Sequence, residues 1–301
     1  MSRRQFIRSS ALTLGAVAFT RSELFASLLA DPWKVTMLRN NVGIFTERGG
    51  TIGFYLSKDG IVVVDTQFPD QSKHLIGELR KQNQQPFRLL INTHHHGDHS
   101  SGNISFKGLA ERVLAHSNSK ANQERVAKEQ KKEDQQLYPD RTYDTLWDEK
   151  VAGERVCLHY FGPAHTNGDS LVQFAHADIV HMGDLMFNRR HPFIDRSAGA
   201  SVSNWIEVLN KTTKKFSKKT IYIFGHSLEP GKETGNAEDL KMFGDYLEKL
   251  LKFAESEFKA GKSKEEFIKN TAIPGVTEWK GDGIARPLTA AYEEVSLGKG
   301  S

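Results

Sequence analysis

Cysteine is almost absent from this 301-residue chain, and the single one, Cys157, excludes an intramolecular disulfide framework. Stability must therefore come from packing and from any bound metal. Charge of one sign is scarce as well. The net charge is +4, and residues 1–30 carry Arg3, Arg4, Arg8 and Arg21 against Glu23, a surplus of +3 that leaves +1 (4 − 3) for the rest. A nucleic-acid partner needs a basic field, and none is available. Apolar runs are short: no stretch reaches the roughly 18 residues of a membrane helix, so no permanent membrane span is expected. No low-complexity linker divides the chain, which is long enough to bury a real core.

The first residues, Ser2-Arg3-Arg4-Gln5-Phe6-Ile7-Arg8, precede a mildly apolar run over 11–19. Paired arginines with this spacing resemble a bacterial twin-arginine export signal. The resemblance implies a signal peptide over residues 1–30, cut before Asp31 after Ala26 or Ala30, and the twin-arginine export machinery as a partner. It further implies a periplasmic or secreted mature protein over 31–301.

Beyond residue 33, strand-like and helix-like stretches alternate. Residues 51–56 and 61–64 are β-rich around Lys58-Asp59-Gly60, a hairpin turn. A helix is predicted over 73–82 and a buried strand over 87–92. The charged run 119–133 predicts a solvated helix. Strands follow over 154–161, 170–175, 179–182 and 220–224, with helices over 205–216, 239–260 and 263–269. The alternation predicts one α/β domain with strands in the middle and helices outside.

The chemistry concentrates in Thr93-His94-His95-His96-Gly97-Asp98-His99, directly after a buried strand. Imidazole and carboxylate suit zinc and related divalent ions. On extended chain, residues two apart face the same way, so His94 and His96 can meet one ion while His95 turns aside. Asp98 and His99 lie where the chain begins to turn and can face a second ion. His165, Asp184 and His226 each follow a later strand, and strand ends in α/β sheets gather side chains at one rim. His116 sits close enough to a strand end to compete. His159 reads as a strand residue, and His74, His176, His181 and His191 as surface or hairpin positions. Arg189, Arg190 and His191 could meet an anionic substrate, though a solvated loop is the simpler reading.

The HxHxDH run, the later Gly162-Pro163-Ala164-His165-Thr166, Gly183-Asp184 and Gly225-His226 resemble the metallo-β-lactamase superfamily over most of residues 40–230. The resemblance implies an αββα sandwich, with two mixed β-sheets packed face to face and helices outside. It implies one zinc held by His94, His96 and His165, a second by Asp98, His99 and His226, and Asp184 bridging both; iron or manganese could replace zinc. Asp65 would support the site from beneath as a non-ligand. The expected reaction is attack on an ester, thioester, lactone or lactam carbonyl of a small-molecule substrate by a hydroxide shared between the two ions, with Asp98 handling a proton. Departures narrow the substrate. Zinc β-lactamases usually carry cysteine or serine where Asp184 stands, which leaves at most weak β-lactamase activity. Acyl-homoserine lactonases often place a tyrosine where Phe187 stands. A mononuclear-iron sulfur dioxygenase-like enzyme is the alternative from another class.

Overall fold

Strand formation here follows β-branched and aliphatic runs that are buried on both faces. A computed structural model describes residues 32–281 and 283–298; the signal read over 1–30 lies outside them. The first sheet contains β1 (Lys34–Arg39), β2 (Val42–Thr46), β3 (Ile52–Ser57), β4 (Gly60–Val64), β5 (Phe87–Ile91), β6 (Val113–His116) and β7 (Arg141–Tyr143), in that spatial order. The β2–β3–β4 meander is antiparallel, and β4 through β7 run parallel. The second sheet runs β8 (Leu146–Val151), β9 (Glu154–His159), β10 (Leu171–Phe174), β11 (Ile179–His181), β13 (Ile221–Ile223) and β15 (Thr234–Gly235). Its pairs are antiparallel except β11 with β13. A short parallel ribbon joins β12 (Phe187–Asn188) to β14 (His226–Ser227).

The helices are α1 (Pro69–Gln82), α2 (Gly97–Ser100), α3 (Ser117–Gln130), α4 (Val202–Lys215), α5 (Ala237–Lys259), α6 (Lys264–Phe267) and α7 (Ala285–Ser296). Proline at the first turn, where its missing N–H costs nothing, starts α1, and Arg80 and Lys81 close it. Asn236 and Asp239 form a capping box at the start of α5.

Alternation along the strands explains the layers. Val62, Val64, Leu89 and Ile91 of the first sheet meet Val156, Leu158, Val172 and Phe174 of the second in one apolar cluster between the sheets. The other face of the second sheet, through Leu171, Val180 and Tyr222, packs on Trp205, Phe243, Leu247 and Leu288 of the helices. Ile61 and Val63, which point away from the inter-sheet cluster, are also buried, as are Leu75 and Leu79 of α1. The result is the αββα sandwich expected from sequence.

Most predicted elements are present with ends shifted by one to three residues. Several elements have no predicted counterpart: β1, β2, β7, β8, the two-residue strands β12, β14 and β15, and the C-terminal α7. The run 119–133 is only partly solvated: α3 buries Ser119, Asn122 and Gln123, because Asn92 and Asn167 supply hydrogen-bond partners beneath Gln123 and Asn122. Among the described residues no helix is long and apolar enough to cross a membrane.

Candidate metal centre

The C-terminal ends of β4, β5, β11 and β13 lie at one edge of the sandwich, and each feeds a loop into the same place. β4 ends on Asp65; β5 runs into Thr93 and the histidine run; β11 leads to Asp184 on a single 3₁₀ turn; β13 leads through Gly225 to His226. His165 joins from the loop between β9 and β10. The ribbon pairing Phe187 with His226 ties the Asp184 turn to the His226 strand.

Three groups of side chains have candidate ligand atoms no more than 4.8 Å apart; one is His95, His96 and Asp195, and the two made of the predicted ligands are His94, His96, His165 and Asp184, and Asp98, His99 and His226. Asp184 reaches both. Its Oδ2 lies 3.4 Å from His165 Nε2 and 3.8 Å from His94 Nε2. Its Oδ1 is 2.9 Å from His99 Nε2, and Oδ2 is also 3.4 Å from His226 Nε2. Asp98 Oδ2 stands 3.1 Å from His226 Nε2. All seven residues named from sequence are therefore brought together.

The anchoring of the rings shows what the cluster suits. His165 Nδ1 donates to the Phe193 carbonyl at 2.8 Å, and His96 Nε2 donates to Asp195 Oδ2 at 3.0 Å. Thr93 Oγ1 gives its proton to Asp65 Oδ2 at 2.7 Å and so accepts from His94 Nδ1 at 3.1 Å. Each ring has spent its proton on an anchor. The remaining nitrogens, His94 Nε2, His96 Nδ1 and His165 Nε2, then face one another as bare lone pairs at 2.9–3.0 Å. Three lone pairs converging in a buried place repel unless a cation sits among them, and anchored imidazoles are the usual ligand form. Asp184 Oδ1 is likewise buried without a well-aligned hydrogen bond. The donor set fits a divalent metal.

Asp65 works from below. Its Oδ1 accepts the Thr93 N–H at 2.8 Å and its Oδ2 accepts from His99 Nδ1 at 2.7 Å. It does so from a left-handed backbone, φ 65°, a strained setting for a residue with a side chain and one often found where geometry serves function. Backbone also presses close to the ligands. A Cβ on Gly225 would lie 2.1 Å from Asp184 Oδ1, and one on Gly50 2.1 Å from a His99 ring carbon, so neither position tolerates a side chain.

Protonation differs between the two groups. Burial drives His94 well below the ordinary histidine range and brings His165 to about 3, so both are neutral at pH 7. Burial also opposes charge on His226, but Asp184 and Asp98 outweigh it and raise this ring to about 9. His99 moves up for the same reason, with Asp184, Asp98 and Asp65 overcoming burial. Burial pushes Asp98 up, yet His99 and His226 bring it down to about 2.

The remaining histidines sort by their partners. His95 is buried, its Nε2 3.6 Å from Asp195 Oδ2. His116 caps α3 and binds the Asp144 carbonyl at 2.8 Å, belonging to neither group. His159 is a strand residue bonded to Gln173. His181 is not a surface residue: it is buried, with Nε2 on the Thr51 carbonyl at 3.0 Å, because Gly53 leaves room for its ring against β3. His191 is no free hairpin position either; it lines the cavity in front of the ligands. Sequence reasoning missed Asp195, which orients His96 from a loop with no strand before it. It also missed Thr93, whose hydroxyl links Asp65 to His94.

In front of the ligands lies a cavity of about 530 Å³ whose wall includes Asp98, Asp184, His226, Phe187 and Phe193. The sequence profile of the metallo-beta-lactamase superfamily matches residues 45–226, a span that begins in β2 and ends on the last ligand. The chain belongs to the metallo-β-lactamase superfamily. Membership supports a metal-dependent hydrolase. The chain is 24% identical over 201 residues to metallo-beta-lactamase IND-1 of Chryseobacterium indologenes, covering 63% of this chain and 80% of that one. Among solved structures, a metallo-beta-lactamase from Pontibacter korlensis is similar with TM-score 0.58 at 19% identity, and metallo-beta-lactamase IND-7 with TM-score 0.58 at 21% identity. Each match covers 72% of this chain and 99% of the other. These likenesses concern the fold. They also leave more than a quarter of this chain without a counterpart.

Proposed function

We propose that this protein hydrolyses an ester, thioester, lactone or lactam with a pair of divalent cations, zinc in the simplest case. His94, His96 and His165 would hold one, Asp98, His99 and His226 the other, and Asp184 both. The observation that carries this reading is Asp184, buried between two ligand groups and within 4 Å of ring nitrogens from each. When bound, such cations supply an activated water and stabilise charge growing on the substrate oxygen. The chain's own part is positional. Asp65, Asp195, Thr93 and the Phe193 carbonyl fix the ring orientations, and Phe187 and Phe193 supply apolar surface to the cavity wall. Asp98, with Oδ2 turned to His226, keeps Oδ1 to take the proton of the attacking water. The test is elemental analysis with a chromogenic panel of lactam, lactone, thioester and phosphodiester substrates. Two zincs per chain and acyl hydrolysis are expected. One iron with oxygen consumption would replace the proposal by a dioxygenase, and full metal content with no turnover would leave only a metal-binding protein.

Protons should be released when the metal-free protein takes up zinc. At pH 7 His226, at about 9, and the similarly raised His99 carry protons that ligation displaces, whereas His94 and His165 carry none. Roughly one to two protons per chain are expected in weakly buffered solution at pH 7. Uptake by the Asp98 group should tighten as pH rises through about 9, where His226 loses its proton. Release that does not vary with pH would contradict this.

We also propose export by the twin-arginine route, supported by Arg3 and Arg4 ahead of a short apolar run. Replacing both by lysine is expected to hold the protein in the cytoplasm, and unchanged export would refute the route.

A further inference from the structure

The wall of the cavity that holds His96, Asp98, Asp184 and His226 also carries two arginines, Arg190 and Arg286, together with His191. Their origin is unequal. Arg190 follows β12, within the span matched to the superfamily, whereas Arg286 lies on α7, in the part of the chain beyond residue 226. The C-terminal segment is fastened to the site strand. Trp279 Nε1 donates to the Phe187 carbonyl at 3.4 Å, Lys280 N donates to the Arg189 carbonyl at 3.0 Å, and Arg190 and Lys280 form a parallel bridge. Shortly after that clip, Gly283 and Arg286 line the cavity.

Neighbouring arginines show how the chain treats a guanidinium it uses for structure. Arg189, adjacent to Arg190, pairs with Glu278 at 2.8 Å and lies over Trp279. Arg196 pairs with Glu294 at 3.2 Å. Among the described residues, neither Arg190 nor Arg286 has an acidic partner, and the contact made by Arg286 is with the face of Phe193. The carboxylates on the same wall, Asp98 and Asp184, are committed to the ligand groups. Two guanidinium groups without an acidic partner among the described residues, one of them over the Phe193 ring, form a recognition surface for a carboxylate, sulfate or phosphate, since arginine binds such groups bidentately.

We propose that Arg190 and Arg286 select a substrate bearing an anionic group a few bonds from its scissile acyl carbon. This rests on the hydrolase reading above and adds the substrate class. 4-Nitrophenyl succinate and 4-nitrophenyl butyrate present acyl chains of equal carbon number with and without a terminal carboxylate. For the zinc-loaded full chain, kcat/KM is expected to favour the succinate ester by roughly tenfold or more, a preference that shrinks in high salt. Arg190→Ala and Arg286→Ala should each lower that ratio about five- to tenfold, with zinc content unchanged by elemental analysis. Arg88→Ala, which breaks an exposed pair with Glu111 at the far end of β4 and β5, is expected to preserve it. Equal cleavage of both esters, or a ratio that survives both cavity variants, would overturn the assignment while leaving hydrolysis intact. Calorimetric titration with glutarate separates the two claims. Glutarate binding lost in R190A/R286A, with neither ester cleaved, would support the anion site and remove the hydrolase reading.

Discussion

Asp184→Ala is expected to abolish turnover, by on the order of a thousandfold or more, and to lower cation content from two per chain toward one. The reason is geometric. Among the described residues Asp184 is the one carboxylate within 4 Å of ring nitrogens from both ligand groups, and it is buried. Removing it takes away the largest of the negative charges that raise His99 and His226. Asp98 remains beside both rings and Asp65 beside His99, but neither links them to His94 and His165. Asp184→Asn, which keeps the shape but not the charge, should show the same loss of the second cation. Zinc content and hydrolysis measured together decide the matter. Full activity in the alanine variant would contradict the whole assignment of ligands.

Chelation should unfold the protein more easily. Without a cation, the lone pairs of His94, His96 and His165 face each other at 2.9–3.0 Å. Relief requires a ring to turn over, which breaks its bond to Thr93, Asp195 or the Phe193 carbonyl. A ligand present at about a thousand times its Kd stabilises the native state by about 4 kcal/mol. For a domain of this size that corresponds to a fall in Tm of roughly 8–16 °C on chelation. Melting curves with and without a chelator, followed by zinc replacement, provide the check. Identical curves would mean that the cluster tolerates its own repulsion and holds no stabilising ion.

The candidate ligand set was legible because each member belongs to a short motif following a strand-like run: the run before Asn92, Glu154 to Phe161, Ile179 to Met182, and Ile221 to Phe224, with Ile61 to Val64 leading to the supporting Asp65. A run buried on both faces needs no partner to be recognised. β1 and β2 are different. Lys34 to Arg39 mixes polar and apolar residues on an edge, so nothing in its pattern separates it from loop. Asp195, Thr93 and Arg286 were illegible for another reason. Their roles depend on which ring or cavity wall the folded chain sets beside them, and no local spacing carries that information. The polar side of α3 misled in the same way, since burial of Asn122 and Gln123 depends on amide partners in distant loops.

The clip from Trp279 and Lys280 onto the strand carrying Phe187 divides responsibility within the chain. Among the described residues, every member of the candidate cation groups is in place by residue 226, while the cavity wall takes Gly283 and Arg286 from what comes later. The tail can therefore drift in sequence, exchanging one welcome for another, without disturbing the reacting centre it borders. On the proposal above, substrate choice would draw on both stretches, Arg190 from before residue 226 and Arg286 from after it, and the chemistry on the first alone.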